Sequence, residues 1–197
     1  KLILFTDIMN LEMSLKGGSI NLIIGCMFSG KSTETMRIIK RYKTLGSKNI
    51  LVINNISDNR YGESVISSHD KQQIKCISLS SLNSIKTQEI YIKAQIIFID
   101  EAQFFTDLYN FCTNAADNDN KIVYVTGLNG DSDRNTFGDI CKLVPHAENI
   151  TMLKALCMIC KDGTAAVFSK RIVNSQNQKL VGESNMYIPT CRNHFNN

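Results

Sequence analysis

Residues Gly25-Cys-Met-Phe-Ser-Gly30-Lys31-Ser32 set two glycines around four residues and follow the second with Lys-Ser. The octet sits between an apolar run, Ile20-Asn-Leu-Ile-Ile24, and a stretch with helical spacing from Ser32 to Leu45. In that stretch Met36, Ile39 and Leu45 mark one face, and Gly46 supplies the stop. A strand that runs through such a loop into a helix has few ways to fold. The glycines let the backbone curl until its N–H groups converge, and the helix N-terminus adds partial positive charge. That geometry suits a chain of phosphates. Lys31 can reach the outer phosphates, and the Ser32 hydroxyl can ligate Mg²⁺.

Three further apolar runs read as strands: Lys48 to Ile53, Ala94 to Ile99 and Lys121 to Thr126. Phe104 to Ala116 reads as a helix, and polar loops fill 54–73 and 127–138. Strands alternating with helices predict a parallel sheet covered on both faces. Beyond about residue 150 the pattern changes to short β-like pieces between cysteine pairs. The expectation is therefore an α/β protein. A P-loop NTPase-like parallel sheet flanked by helices spans 1–153, with residues 1–16 an extension of unassigned role. A small zinc-binding β-rich domain spans 154–197. The hydrophobic share of 43% and charged share of 20% exclude wholesale disorder and a fibre. No apolar run reaches the roughly 18–20 residues of a membrane-spanning helix. The apolar start, Lys1 to Phe5, soon meets Asp7 and Glu12, so no signal peptide is expected. Seven cysteines, an odd number, point to a reducing, cytoplasmic setting. The net charge of +4 is too small for a protein that coats nucleic acid.

Ile96-Ile-Phe-Ile-Asp100-Glu101 ends an apolar strand in two carboxylates. Asp100 can hold the metal beside the phosphate loop. Glu101 is either a general base for an attacking hydroxyl or an exposed loop-edge charge, and position alone does not choose. Asp58 and Arg60 could contact Mg²⁺ and phosphate or form a solvated ion pair, and the pair is the simpler reading. His69 reads as structural. Cys157-Met-Ile-Cys160 and Cys191-Arg-Asn-His194 make two tight ligand pairs for tetrahedral Zn²⁺ with no open position, hence a structural site. Cys26, Cys76, Cys112 and Cys141 read as apolar thiols.

Taken together, the pieces resemble the type II thymidine kinase family. The matches are Gly25 to Glu34, Asp58-Asn-Arg-Tyr61, His69-Asp70, Phe98 to Phe105, Gly127-Leu-Asn-Gly130, Phe137-Gly138, Cys157/Cys160, Phe168 to Arg171, Tyr187 and Cys191-Arg192. The resemblance implies ATP:thymidine 5′-phosphotransferase activity, with deoxyuridine as a further substrate, in pyrimidine salvage for DNA synthesis. It implies that Gly25, Met27, Phe28, Ser29, Gly30, Lys31, Ser32, Thr33, Asp58, Arg60, Asp100 and Gln103 serve ATP, with Mg²⁺ on Ser32 and Asp100. Glu101 becomes the base that takes the 5′-hydroxyl proton. The nucleoside would lie among Met27, Phe104, Leu128, Ser132, Phe137, Ser169 and Tyr187, under a lasso of Gln178, Lys179, Leu180, Val181 and Gly182 that the zinc hairpin anchors. Metal loss should then reach nucleoside binding before ATP binding. A homotetramer, feedback inhibition by dTTP, and no nucleic-acid or membrane partner are implied as well. The chain departs from the family pattern at Cys26 (usually Pro), Ala102 (usually Gly), Ser132 (usually aromatic), Glu183 (usually Gly) and His194 (usually Cys). The competing reading is a P-loop ATPase whose zinc ribbon binds nucleic acid, which asks for basic residues interleaved with aromatics in the C-terminal unit.

Overall fold

The computed structural model describes residues 17–47, 49–57, 65–67, 73–173 and 186–197. Asp58, Arg60, Tyr61, His69, Asp70, Gln178, Lys179, Leu180, Val181, Gly182, Glu183 and residues 1–16 lie outside the described residues.

The chain runs through β1 (Ser19–Gly25), α1 (Lys31–Thr44), β2 (Ile50–Asn55), a hairpin of β3 (Val65–Ser67) and β4 (Gln73–Lys75), and β5 (Ile77–Leu79). It continues through α2 (Glu89–Lys93), β6 (Ile96–Ile99), α3 (Leu108–Asp117), β7 (Ile122–Gly127) and β8 (Asn149–Leu153). Among the described residues, six strands form one sheet in the order β5-β2-β6-β7-β1-β8, and every pairing is parallel. Four of them, β1, β2, β6 and β7, are the apolar runs of the sequence. Strand β5 has only three residues, and β8 lies at the edge with mostly exposed side chains, so neither carries the apolar run of a buried strand.

The inner strands are buried on both faces, and period two sorts their side chains. Leu22, Ile24, Leu51, Ile53, Ile97, Ile99, Val123 and Val125 join Leu108, Phe111 and Ala115 of α3 and the short turns at Leu82–Ile85 and Ile140–His146. Their alternates Val52, Ile96, Phe98 and Ile122 meet Met36, Ile39 and Tyr42 of α1 and Ile66 and Ile74 of the hairpin. Phe98 stacks on Tyr124 with ring centroids 4.7 Å apart, and Tyr42 meets both rings edge-on.

The helix expected over 104–116 is divided. A 3₁₀ turn covers Ala102–Phe104, Phe105 is extended, and α3 starts only at Leu108. Asp107 explains the break. Its Oδ2 accepts from Ser81 Oγ at 2.6 Å and from Asn83 N–H at 2.9 Å, which ties the chain to the preceding turn. Burial pushes the Asp107 carboxyl up, but the donors from Ser81, Asn83 and Leu82 outweigh it and hold it below the usual range.

After β8 the chain builds smaller pairs. Strand β9 (Ala155–Leu156) pairs with β10 (Ala165–Ala166), and β11 (Phe168–Arg171) pairs with β12 (Tyr187–Thr190), both antiparallel. A short helix, α4 (Arg192–Asn196), follows. Among the described residues no helix is long and apolar enough to cross a membrane.

Candidate active site

Parallel pairing brings the C-terminal ends of β1, β6 and β7 to one edge of the sheet, where open α/β sheets bind ligands. The registers Ile24↔Gly127 and Ile99↔Val125 put the phosphate loop, Asp100-Glu101 and Leu128 side by side along that edge, with β7 in the middle.

The loop after β1 is held in a curled form. Gly30 has φ +84°, and Phe28, which is not a glycine, has φ +64°. The first N–H of the ensuing helical ladder, on Glu34, donates to Gly30 O at 2.9 Å. Lys31 Nζ donates to Cys26 O at 2.8 Å, so the cation lies over the loop itself. Buried Thr35 ties α1 to β7 through its hydroxyl contact with Thr126 at 2.7 Å, a link that no motif or periodicity announces. Ser29 Oγ is buried without a partner among the described residues. Ser32 and Thr33 occupy the first turn of α1.

At the end of β6, Asp100 is buried, and its Oδ1 accepts the Glu101 N–H at 3.0 Å. Glu101 has φ +48°, a left-handed conformation that costs a non-glycine residue on the order of 1–3 kcal/mol. Buried Gln103 holds it there. Gln103 Nε2 donates to Glu101 Oε2 at 2.5 Å, and Gln103 Oε1 accepts the Leu128 N–H at 3.0 Å. Gln103 thus bridges β6 and β7. Two glycines make room for it. A Cβ on Gly127 would stand 2.3 Å from Gln103 Oε1, and one on Gly138 would stand 2.3 Å from Gln103 O. Gly127→Ala should therefore cost about 1–3 kcal/mol of stability through overpacking. It should also lower turnover, because Gln103 must give up its grip on Glu101. Urea unfolding and steady-state kinetics check this, and an unchanged kcat would refute the bridge.

Phe104 meets buried Phe137 edge-on, with centroids 5.5 Å apart. Met27 N–H donates to Ser169 Oγ at 2.9 Å, which joins two of the expected nucleoside residues from opposite ends of the chain. Ser132 Oγ is buried without a partner among the described residues. Beside it, Asp131 Oδ1 accepts the N–H groups of Asp133 and Asn135, each at 2.9 Å, and shapes the loop after β7. Tyr187 is buried on β12 beneath the Arg171 guanidinium. A pocket of about 260 Å³ lies between Cys26, Asn129 to Asp131, Ser169 and Arg192.

Cys157, Cys160, Cys191 and His194 converge until their ligand atoms all lie within 4.8 Å of one another. Tetrahedral zinc with bonds of 2.0–2.3 Å requires S···S edges of about 3.8 Å and S···N edges of about 3.5 Å. Cys160 Sγ to Cys191 Sγ measures 3.8 Å, and His194 Nδ1 lies 3.6, 3.2 and 3.5 Å from the sulfurs of Cys157, Cys160 and Cys191. The donor set and its spacing are therefore compatible with zinc. Burial pushes the Cys157 thiol up, but N–H groups of Cys160, Cys191 and Ile159, with His194, outweigh it and bring it below the usual thiol range, the direction that favours a thiolate ligand. Of the four other cysteines, Cys26 and Cys112 are buried and Cys76 and Cys141 half-buried.

A family model described as thymidine kinase matches residues 18–195. The thymidine kinase of Oryza sativa subsp. japonica is 41% identical over 181 residues, covering 90% of this chain and 66% of the rice protein. That of Myxoma virus (strain Uriarra) is 42% identical over 181 residues, covering 91% of this chain and 97% of the viral protein. The chain thus spans about two thirds of the plant relative and nearly all of the viral one. Among solved structures, the Legionella pneumophila ATPase DotB aligns with 80% of this chain and 47% of its own, at a TM-score of 0.44 and 16% identity.

Proposed function

This chain belongs to the thymidine kinase family, and from that premise we propose that it moves the γ-phosphoryl group of ATP onto the 5′-hydroxyl of thymidine, and of deoxyuridine, in pyrimidine salvage. The observation that carries the reading is Glu101: a carboxylate in a left-handed conformation, clamped by Gln103 at the sheet edge that also bears the phosphate loop.

In the proposed reaction the Glu101 carboxylate accepts the 5′-hydroxyl proton as that oxygen attacks the γ-phosphorus. The new O–P bond forms as the bond to the ADP oxygen breaks, in line. Loop N–H groups and Lys31 meet the charge on the phosphate oxygens. Ser32 and Asp100 would hold Mg²⁺, which supplies neutralisation of the β- and γ-phosphate oxygens. Met27, Phe104, Leu128, Phe137, Ser169 and Tyr187 would enclose the nucleoside, where a flat pyrimidine gains from aromatic contact. We assign a structural Zn²⁺ to Cys157, Cys160, Cys191 and His194. Because those thiols must stay reduced to bind it, a cytoplasmic setting belongs to the same proposal. So do a homotetramer, to which Ile150 and Met152, exposed on edge strand β8, offer apolar surface, and inhibition by dTTP.

The nucleic-acid reading has less support. It needs aromatic faces open to bases, yet Arg134 and Arg192 stand over Phe168 at 5.7 and 5.0 Å, and Arg134 stands 4.7 Å over Phe195. ADP release measured with thymidine, with DNA and with neither decides between the two. The proposal expects release only with thymidine. Release that DNA stimulates without thymidine would overturn it.

A further inference from the structure

The phosphate loop and the metal-binding unit are built into each other. The Cys26–Met27 peptide is held from both sides: its N–H donates to Ser169 Oγ at 2.9 Å, and its carbonyl accepts Lys31 Nζ at 2.8 Å. Cys26 Sγ donates to Ala166 O at 3.5 Å. Gly25 pairs with Leu153, the last residue of β8 before the chain enters β9, so closely that a Cβ there would lie 2.4 Å from Leu153 O. Cys26 is buried in one apolar cluster with Ala155, Cys157 and Ala166, and Phe28 packs on that cluster together with Cys160 and Cys191. Phe28 is also the residue at φ +64°. Such a conformation persists only where the surroundings over-determine it, and here the surroundings are the metal ligands and their hairpin.

We infer that the metal-binding unit sets the shape of the phosphate loop, with Ser169 as its positioning residue, so that metal retention and ATP binding are thermodynamically linked. Ser169 fixes the plane of a peptide whose other end receives Lys31, so losing its hydroxyl frees the rest position of the lysine. Linkage is reciprocal: if bound metal favours the curled loop, bound nucleotide favours retention of metal by the same factor. The inference rests on the reading of Gly25 to Ser32 as the ATP site. It adds a measurable effect on ATP binding to the larger loss of nucleoside binding expected when metal is removed.

The test uses the zinc-loaded protein, a non-hydrolysable ATP analogue with an imido β,γ-bridge, and a chromogenic zinc chelator. In wild type and Ser169→Thr, the analogue should slow zinc release about five- to tenfold, and zinc removal should weaken the analogue by a similar factor, the scale of one well-made hydrogen bond. In Ser169→Ala the coupling should fall below about twofold, with zinc content unchanged. Equal analogue affinity in loaded and depleted wild type overturns the linkage. Full coupling in Ser169→Ala overturns the role of the hydroxyl. If Ser169→Ala does not fold, the loaded-versus-depleted comparison in wild type and Ser169→Thr still decides the linkage. An analogue that fails to bind loaded wild type would instead sink the ATP-site reading.

Discussion

Glu101→Gln is expected to lower kcat by about 10²–10⁴-fold, the range for losing a general base, while ATP-analogue affinity and thermal stability stay close to wild type. The substitution is nearly isosteric. The new side chain keeps a carbonyl oxygen to accept from Gln103 Nε2, so the bridge from β6 to Leu128 can survive. The left-handed backbone at φ +48° is no harder for glutamine than for glutamate. What disappears is the ability to take a proton. A kcat within about twofold of wild type would reject the base assignment, because no smaller factor is consistent with loss of general-base catalysis. A matching loss of stability would mean that the carboxylate serves the fold instead.

Cys160→Ala should have the larger structural effect. It removes a sulfur that stands 3.8 Å from Cys191 Sγ and 3.2 Å from His194 Nδ1, the centre of the ligand set. Zinc bound to units of this kind contributes on the order of 10–16 kcal/mol to their folding, far more than two two-stranded pairs supply alone. Metal content should fall from one zinc per chain to near zero, and thymidine binding by calorimetry should be lost. ATP-analogue binding should weaken about five- to tenfold, because Phe28 and Met27 lose the surface that shapes them. The β1–β8 sheet should remain, since its two cores contain none of the ligands. Full activity in a protein devoid of metal would refute the structural role, and complete loss of far-UV signal would show that the two units fold as one.

Much of this was legible in the residues themselves. The Gly25 to Ser32 octet fixes a strand–loop–helix unit because few other sequences let a backbone curl around phosphate, and α1 begins at Lys31, one residue from its expected start. Continuous apolar runs reveal inner strands because burial on both faces leaves no polar alternation to blur them. The convergence of Cys157, Cys160, Cys191 and His194 was readable because two pairs of soft donors at tight spacing have little other use. Strands β5 and β8 were not readable, because an edge strand can be as polar as a loop. The break at Phe105 was not readable either, since it depends on Asp107 reaching back to Ser81 and Asn83.

The sequence alone determined which chemical groups are present and in what order: the glycine-rich loop, two carboxylates after β6, and four Cys and His side chains that could hold a metal. Only the tertiary structure decided how they act on one another. Gln103 clamps Glu101 against Leu128 because β6 and β7 are neighbours in the sheet. Ser169 holds the Met27 peptide from 142 residues away. Periodicity and motif spacing report local preference. A hydrogen bond between distant segments depends on where the whole chain closes, and no local pattern carries that information.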